Sequence, residues 1–319
     1  METKSKSKLN NAAKRVEEIN FSSLTLKKFV ESYQKNGIPV VITGLLQECD
    51  WNLDYLCDKL GEQKFVARFY GHERYNQDKR KWANIGSGVE AKIMSFTDYA
   101  NLLRNHEAQK NDIYLAKCSI KNTPLANIDS LNSLGEQLGL KRPLSDLNLW
   151  IGPGSHVECL HYDTGDGTLM QLHGSKKIVL FPPSQLHNIY PFPLYVHLLH
   201  GLKLRSWFSQ VYPENPDLKT FPKFQEALLH KYEVILNPGE ILYIPAGWWH
   251  EVTALGNEMV CSVNRFWRVY PTSRAVFSWS RWRNFLGFLL GLPHTLLSIG
   301  IAIFSSDRKQ KISKILQML

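Results

Sequence analysis

Apolar and polar positions alternate in short runs through most of the second half of the chain, and Gly, Pro, Asn or Ser separates the runs. Residues 168–173 (Thr-Leu-Met-Gln-Leu-His) and 176–181 (Lys-Lys-Ile-Val-Leu-Phe) are two such runs with only Gly174 and Ser175 between them. Two-residue loops join hairpins, so this spacing predicts antiparallel strands with His173 opposite Lys176, Gln171 opposite Ile178 and Leu169 opposite Leu180. Residues 237–240 (Asn-Pro-Gly-Glu) read as a turn, 241–244 as a strand, and 251–254 and 259–267 as two more strands around 255–258. Many short strands with Gly/Pro turns favour a jelly roll or barrel. The first half is mixed: 24–33 and 95–105 have helical spacing and 39–43 looks like a strand. The predicted organisation is a basic mobile arm (1–19), an N-terminal α/β extension packed on the barrel (20–142), a jelly-roll core (143–270) and an apolar helical tail (271–319). The fold class is mainly β with helical extensions.

Candidate chemistry sits inside the β-rich part. His161 and Asp163 are two positions apart in His-Tyr-Asp, so on a strand an imidazole and a carboxylate share one face. His250 closes the later run Ile-Pro-Ala-Gly-Trp-Trp-His. A second imidazole from that distant strand completes a two-His, one-carboxylate set, which covers one face of an octahedral ion and leaves the opposite positions open, as non-haem Fe(II) oxygenases need. Trp248 and Trp249 read as packing residues beside the ligand and Asn264 as a polar group near the site. Cys159 reads as a packed thiol, because the set is complete without it.

Lys176 changes the picture further. The hairpin would put its ammonium on one face with Leu169, Gln171, His173, Ile178 and Leu180. A cation among mostly apolar neighbours is costly without an anion, so a carboxylate-bearing ligand inside the barrel is one explanation; a solvated strand end is the other.

From about residue 37 to 267 the chain resembles the JmjC/cupin-like family of Fe(II)- and 2-oxoglutarate-dependent oxygenases, and within it the branch of the asparaginyl hydroxylase that modifies a hypoxia-response factor. The likeness runs through 37–43, 161–163, 174–176 with 180–183, 212–217 with 221–224, 242–245 with 248–250, and 263–264. It implies that His161, Asp163 and His250 hold Fe(II), that Lys176 and Tyr114 meet the distal carboxylate of 2-oxoglutarate, and that Asn264 lines the same pocket. Two positions depart from the branch. Glu158 stands where it has a threonine, so Glu158 turns away, is protonated, or is replaced in that role by a hydroxyl such as Thr168; Gly167 stands where it has an asparagine. The implied reaction consumes O2 and 2-oxoglutarate, gives succinate and CO2, and hydroxylates a C–H bond of a protein, peptide or metabolite. The alternatives are a cupin-fold metal or 2-oxo-acid sensing module without turnover, and an N-demethylase.

Composition is that of a sizeable globular enzyme: 319 residues, 44% hydrophobic and 21% charged. Cys49, Cys57, Cys118, Cys159 and Cys261 are odd in number and form no Cys-x-x-Cys pair, which favours a reducing, cytoplasmic setting. The first 19 residues carry no apolar core and hence no secretory signal; Lys4, Lys6, Lys8, Lys14 and Arg15 make them a basic arm. A net charge of +9 invites a nucleic-acid reading, but no zinc-finger, RNA-recognition or helix-turn-helix pattern accompanies it, so a basic solvated surface is expected. Arg68, Arg74, Lys79, Arg80 and Lys81 would be the first contacts if nucleic acid did bind.

The tail is a separate matter. Residues 285–304 are 20 positions without Asp, Glu, Lys or Arg, with Trp279, Arg281, Trp282 and Arg283 before them and Arg308, Lys309, Lys311 and Lys314 after. That length can span a bilayer, yet Pro293 and His294 at its middle favour two short helices joined by a kink, inserted shallowly or packed as a hairpin. Helical tails in the resembled branch serve dimerisation, so membrane attachment and a homodimer through 271–319 are both open.

Overall fold

The computed structural model describes residues 13–47 and 50–316. Lys4, Lys6, Lys8 and Cys49 lie outside the described residues. In chain order the strands are β1 (Lys14–Arg15), β2 (Glu17–Asn20), β3 (Val40–Thr43), β4 (Lys64–Phe69), β5 (Glu90–Ser95), β6 (Ile113–Ser119), β7 (Asn148–Pro153), β8 (Val157–Tyr162), β9 (Asp166–His173), β10 (Lys176–Phe181), β11 (Tyr232–Leu236), β12 (Ile241–Ile244), β13 (Trp249–Ala254) and β14 (Met259–Trp267). The helices are α1 (Leu26–Lys28), continued by a π-helical stretch Phe29–Gln34, then α2 (Leu53–Leu60), α3 (Phe96–Arg104), α4 (Glu107–Lys110), α5 (Asp129–Leu138), α6 (Val196–His200), α7 (Phe224–Leu228), α8 (Thr272–Val276), α9 (Trp279–Ile303) and α10 (Arg308–Leu316).

Two sheets form the core, one in the order β1-β11-β10-β13-β8 and one in the order β2-β3-β12-β9-β14-β7-β6-β4-β5. Strands β7 to β14 supply the facing layers of a jelly roll, cupin-like in form, and the N-terminal extension lengthens the larger sheet at both edges. Alternation decides which side chains go where. Ile178 and Leu180 of β10 turn into the barrel with Leu242, Ile244 and Trp248, while Val179 and Phe181 pack outside it with Phe224 of α7. On β9, Met170 and Leu172 join the large outer core under α2, α3 and α5, and Leu169 faces inward.

Three expectations are corrected. Residues 168–173 and 176–181 are strands, but not a hairpin: β9 pairs with β12 and β14, β10 with β11 and β13, and Gly174-Ser175 is a corner between sheets. The Gln171 side-chain amide ties this corner by donating to the carbonyls of His173 and Gly174, both at 2.8 Å. Residues 14–19 are not part of a mobile arm, because Lys14–Arg15 pairs with β11 and Glu17–Asn20 with β3, which buries Val16 and Ile19. Finally, α9 runs unbroken through Pro293; the missing N–H forfeits one intrahelical bond, and the chain turns only after Phe304.

Candidate metal and co-substrate site

The site lies in a cavity of about 180 Å3 between the two sheets, lined among others by Tyr114, Trp150, His156, Glu158, His161, Asp163, Lys176, His250 and Asn264. His161 pairs with His250 across β8 and β13, so two distant stretches of sequence set their imidazoles side by side with ring centroids 4.3 Å apart. A register shift follows, His250 to Val252 against His161 to Glu158. The extra residue in β8 reverses the alternation, and His156, Glu158, His161 and Asp163 all line the cavity.

One ligand atom from each of His161, Asp163 and His250 lies within 4.8 Å of the others, and His250 Nε2 is 3.5 Å from Asp163 Oδ2. Each imidazole donates its Nδ1–H to a backbone carbonyl, His161 to Cys159 at 2.8 Å and His250 to Trp248 at 3.1 Å. Nε2 is thereby left as the lone-pair atom facing the cavity. Burial, and then the neighbouring His161, push His250 down to about 4, which keeps it neutral and able to ligate. Two imidazoles and a carboxylate with open space beside them fit a divalent iron that must accept further ligands.

Lys176 is buried at the inner end. Its Nζ donates to Ser262 Oγ and lies 3.5 Å from Tyr114 Oη. Burial pushes it down to about 8, with Cys261 and Glu158 opposing. The Tyr114 ring stacks on His156 at 3.7 Å; His156 Nδ1 donates to Asp112 at 2.7 Å, and its Nε2 is buried without a hydrogen-bond partner. A desolvated ammonium beside a tyrosine hydroxyl fits the carboxylate end of a 2-oxo acid, which would accept from both. Asn264 lines the cavity and accepts from the Trp150 indole at 2.9 Å. Glu158 stays at the cavity wall, where its Oε2 accepts from Tyr70 Oη at 3.3 Å.

Thr168 is among the residues that line the cavity, and its hydroxyl is engaged within the protein, donating to the Arg265 carbonyl and accepting from the Trp267 indole. Ser262, His156 and Arg205, which also line the cavity or hold its lysine, carry no mark in the sequence, and Arg68, read there only as a contact for nucleic acid, lines the same cavity. Lys117 belongs with these two arginines. A register shift in β6 and a φ of +56° place it at the cavity wall. Burial, and then Arg68, push Arg205 down to about 10; desolvation, and then Arg205, lower Lys117.

Cys57, Cys118, Cys159 and Cys261 are free thiols, and burial pushes Cys159 up to about 11, as befits a packed residue. Trp248 and Trp249 are buried packing residues. Part of the basic loop is spent internally: Lys79 is buried against Tyr212 and the Val211 carbonyl and Arg74 lies over Trp82, while the exposed Arg80 pairs with Asp78 and Lys81 is exposed.

Residues 26–273 match the cupin-like domain family, and the chain belongs to that family in its JmjC form. It is 28% identical to lysine-specific demethylase JMJ31 of Arabidopsis thaliana over 77% of this chain and 49% of that protein. It is 30% identical to JmjC domain-containing protein D of Dictyostelium discoideum over 72% and 52%. To lysine-specific demethylase JMJ30 of Arabidopsis thaliana it is 31% identical over 77% and 53%. The chain spans about half the length of these curated relatives. JmjC proteins use Fe(II) and 2-oxoglutarate, and the cluster of His161, Asp163 and His250 is compatible with that use.

Proposed function

We propose that this chain is an Fe(II)- and 2-oxoglutarate-dependent oxygenase that hydroxylates a C–H bond of a protein or peptide. The observation that carries the reading is the convergence of His161, Asp163 and His250 on one cavity that also holds the buried Lys176 ammonium. Iron and the 2-oxo acid, when bound, supply oxygen activation with release of succinate and CO2. The protein's part is placement. His161 and His250, each fixed by its Nδ1 bond, and Asp163 hold the metal; Lys176, Tyr114 and Ser262 anchor the co-substrate; Trp150 fixes the Asn264 amide; and the two sheets exclude water.

Hydroxylation is preferred to removal of a lysine methyl group because, besides the metal ligands and Lys176, the cavity is lined by three cationic side chains, Arg68, Lys117 and Arg205, against the one carboxylate of Glu158. A methylated lysine head is cationic and would meet like charges there. Relatives named as lysine-specific demethylases make that second reaction the natural comparison. Anaerobic titration with Fe(II) and 2-oxoglutarate followed by O2 should give succinate without added substrate, and His161→Ala or Asp163→Ala should abolish it. Binding with no succinate under any condition would leave a sensing module. Release of formaldehyde from methylated lysine peptides, with no mass gain of one oxygen on any peptide, would establish the demethylase instead.

A further inference from the structure

Helix α9 is built with its polarity reversed. The stripe it turns to the protein is small and polar, with Ser280, Arg283, Gly287, Gly291 and Ala302 buried. The face it turns outward is large and apolar: Trp279, Trp282, Phe285, Leu289, Leu296 and Leu297 are all exposed. A helix long enough to be the core of a soluble domain buries most of its apolar stretch, whereas only 17% of this one is buried. Exposed Leu198 and Leu199 of the adjoining α6, with Tyr195 just before it, extend the same surface. An apolar face of this extent calls for an occupant.

We propose that the α6–α9 face docks on the surface of an anionic lipid bilayer, with α9 lying in the plane of the interface. Spanning is disfavoured by how the helix is held. Tyr162 Oη donates to the Ser280 carbonyl at 3.0 Å, and the buried Arg283 guanidinium donates to the carbonyls of Phe192 and Ser206. A Cβ on Gly287 would lie 2.6 Å from His197 Nε2, so the helix sits too close to the body to slide. Leaving this seat for the bilayer core would strip Arg283 of its partners.

Charge selects lipid over a second copy of the chain. Residues 271–319 contain seven Lys and Arg against one acid, Asp307; Arg274 and Arg283 are engaged by Asp166 and by backbone carbonyls and Lys311 pairs with Asp307, which leaves Arg281, Arg308, Lys309 and Lys314 as the excess positive charge. A two-fold interface through this face would bring those cations towards their own copies, whereas acidic headgroups neutralise them. Trp279 and Trp282 at the start of the helix, and Arg308, Lys309 and Lys311 just after it, are the residue types that settle at the headgroup level. The inference is independent of the chemistry at the metal site.

The test uses the full chain and sedimentation with phosphatidylcholine vesicles, with and without phosphatidylserine. Binding is expected to both, stronger with phosphatidylserine and reduced but not abolished by high salt. The triple variant Phe285→Ser, Leu289→Ser, Leu296→Ser should lower partitioning by about tenfold or more with an unchanged Tm, because these side chains point outward. His161→Ala should bind like the wild type. No vesicle binding, or binding indifferent to the triple variant, overturns the proposal. So does a dimer, seen by sedimentation equilibrium without lipid, that the triple variant dissociates.

Discussion

An ammonium that has exchanged its hydration for Ser262 and Tyr114 resists protonation, and this gives Lys176 two measurable consequences. Its folded value of about 8 lies below the ordinary 10.5, so the cost of charging it is fully present below about pH 8 and vanishes as pH rises past the unfolded value. Lys176→Met removes a penalty on the order of 3 kcal/mol at neutral pH, so the ligand-free variant should melt at a higher temperature while losing 2-oxoglutarate binding. A bound carboxylate restores the charge. The Kd for 2-oxoglutarate, measured calorimetrically with Mn(II), should be flat to about pH 8 and then rise by up to about tenfold per pH unit with proton uptake. A flat profile through about pH 9 would contradict the assignment of Lys176 as the anchor. At this scale the sequence was informative where parity decides the face. His161, Asp163 and the alternation of Lys176 with Ile178 and Leu180 could be read directly. Ser262 and His156 carry no such mark, since a serine in a strand is ordinary and His156 depends on Asp112, a residue remote in sequence.

Strand irregularities do as much for the site as the strands themselves. The extra residue in β8 brings Glu158 and His161 to one wall, and the shift in β6 lets both Tyr114 and Lys117 reach the cavity. Neither can be seen in a pattern of alternation, so the Tyr70 hydroxyl beside Glu158 is not legible in the sequence. The corner at Gly174-Ser175 was misread for a related reason. Local sequence specifies a tight turn, while the choice between pairing back and crossing to the opposite sheet is made by the partners β12, β14, β11 and β13. Gly152 of β7 shows how closely these elements fit. A Cβ there would lie 1.9 Å from Tyr114 Cδ2, so Gly152→Ala should displace the tyrosine and raise the KM for 2-oxoglutarate by about tenfold, with iron binding intact. An unchanged KM in uncoupled succinate assays would remove Tyr114 from the co-substrate contacts.

Across the whole molecule, Arg274 of α8 clamps three regions together. It pairs with the buried Asp166 of β9 at 3.2 Å and donates to the carbonyls of Gln34 and Tyr270. Arg274→Ala leaves a carboxylate buried and unpaired, which should cost about 3–5 kcal/mol in urea denaturation; a loss under about 1 kcal/mol would show the clamp to be dispensable. The jelly-roll core was legible from strand spacing, and the tail was legible as apolar, but whether it would break at Pro293 was not, because docking against His197, Ser206 and Leu202 supports the helix through that point. That docking has a practical side. The stretch that α9 leans on, from Gly201 to Ser206, also carries Arg205, whose guanidinium reaches Ser87 at the cavity wall. A protein trimmed before Trp279 for the sake of solubility would bare this stretch and loosen one side of the reaction chamber. Selectivity measured on such a fragment would belong to the fragment.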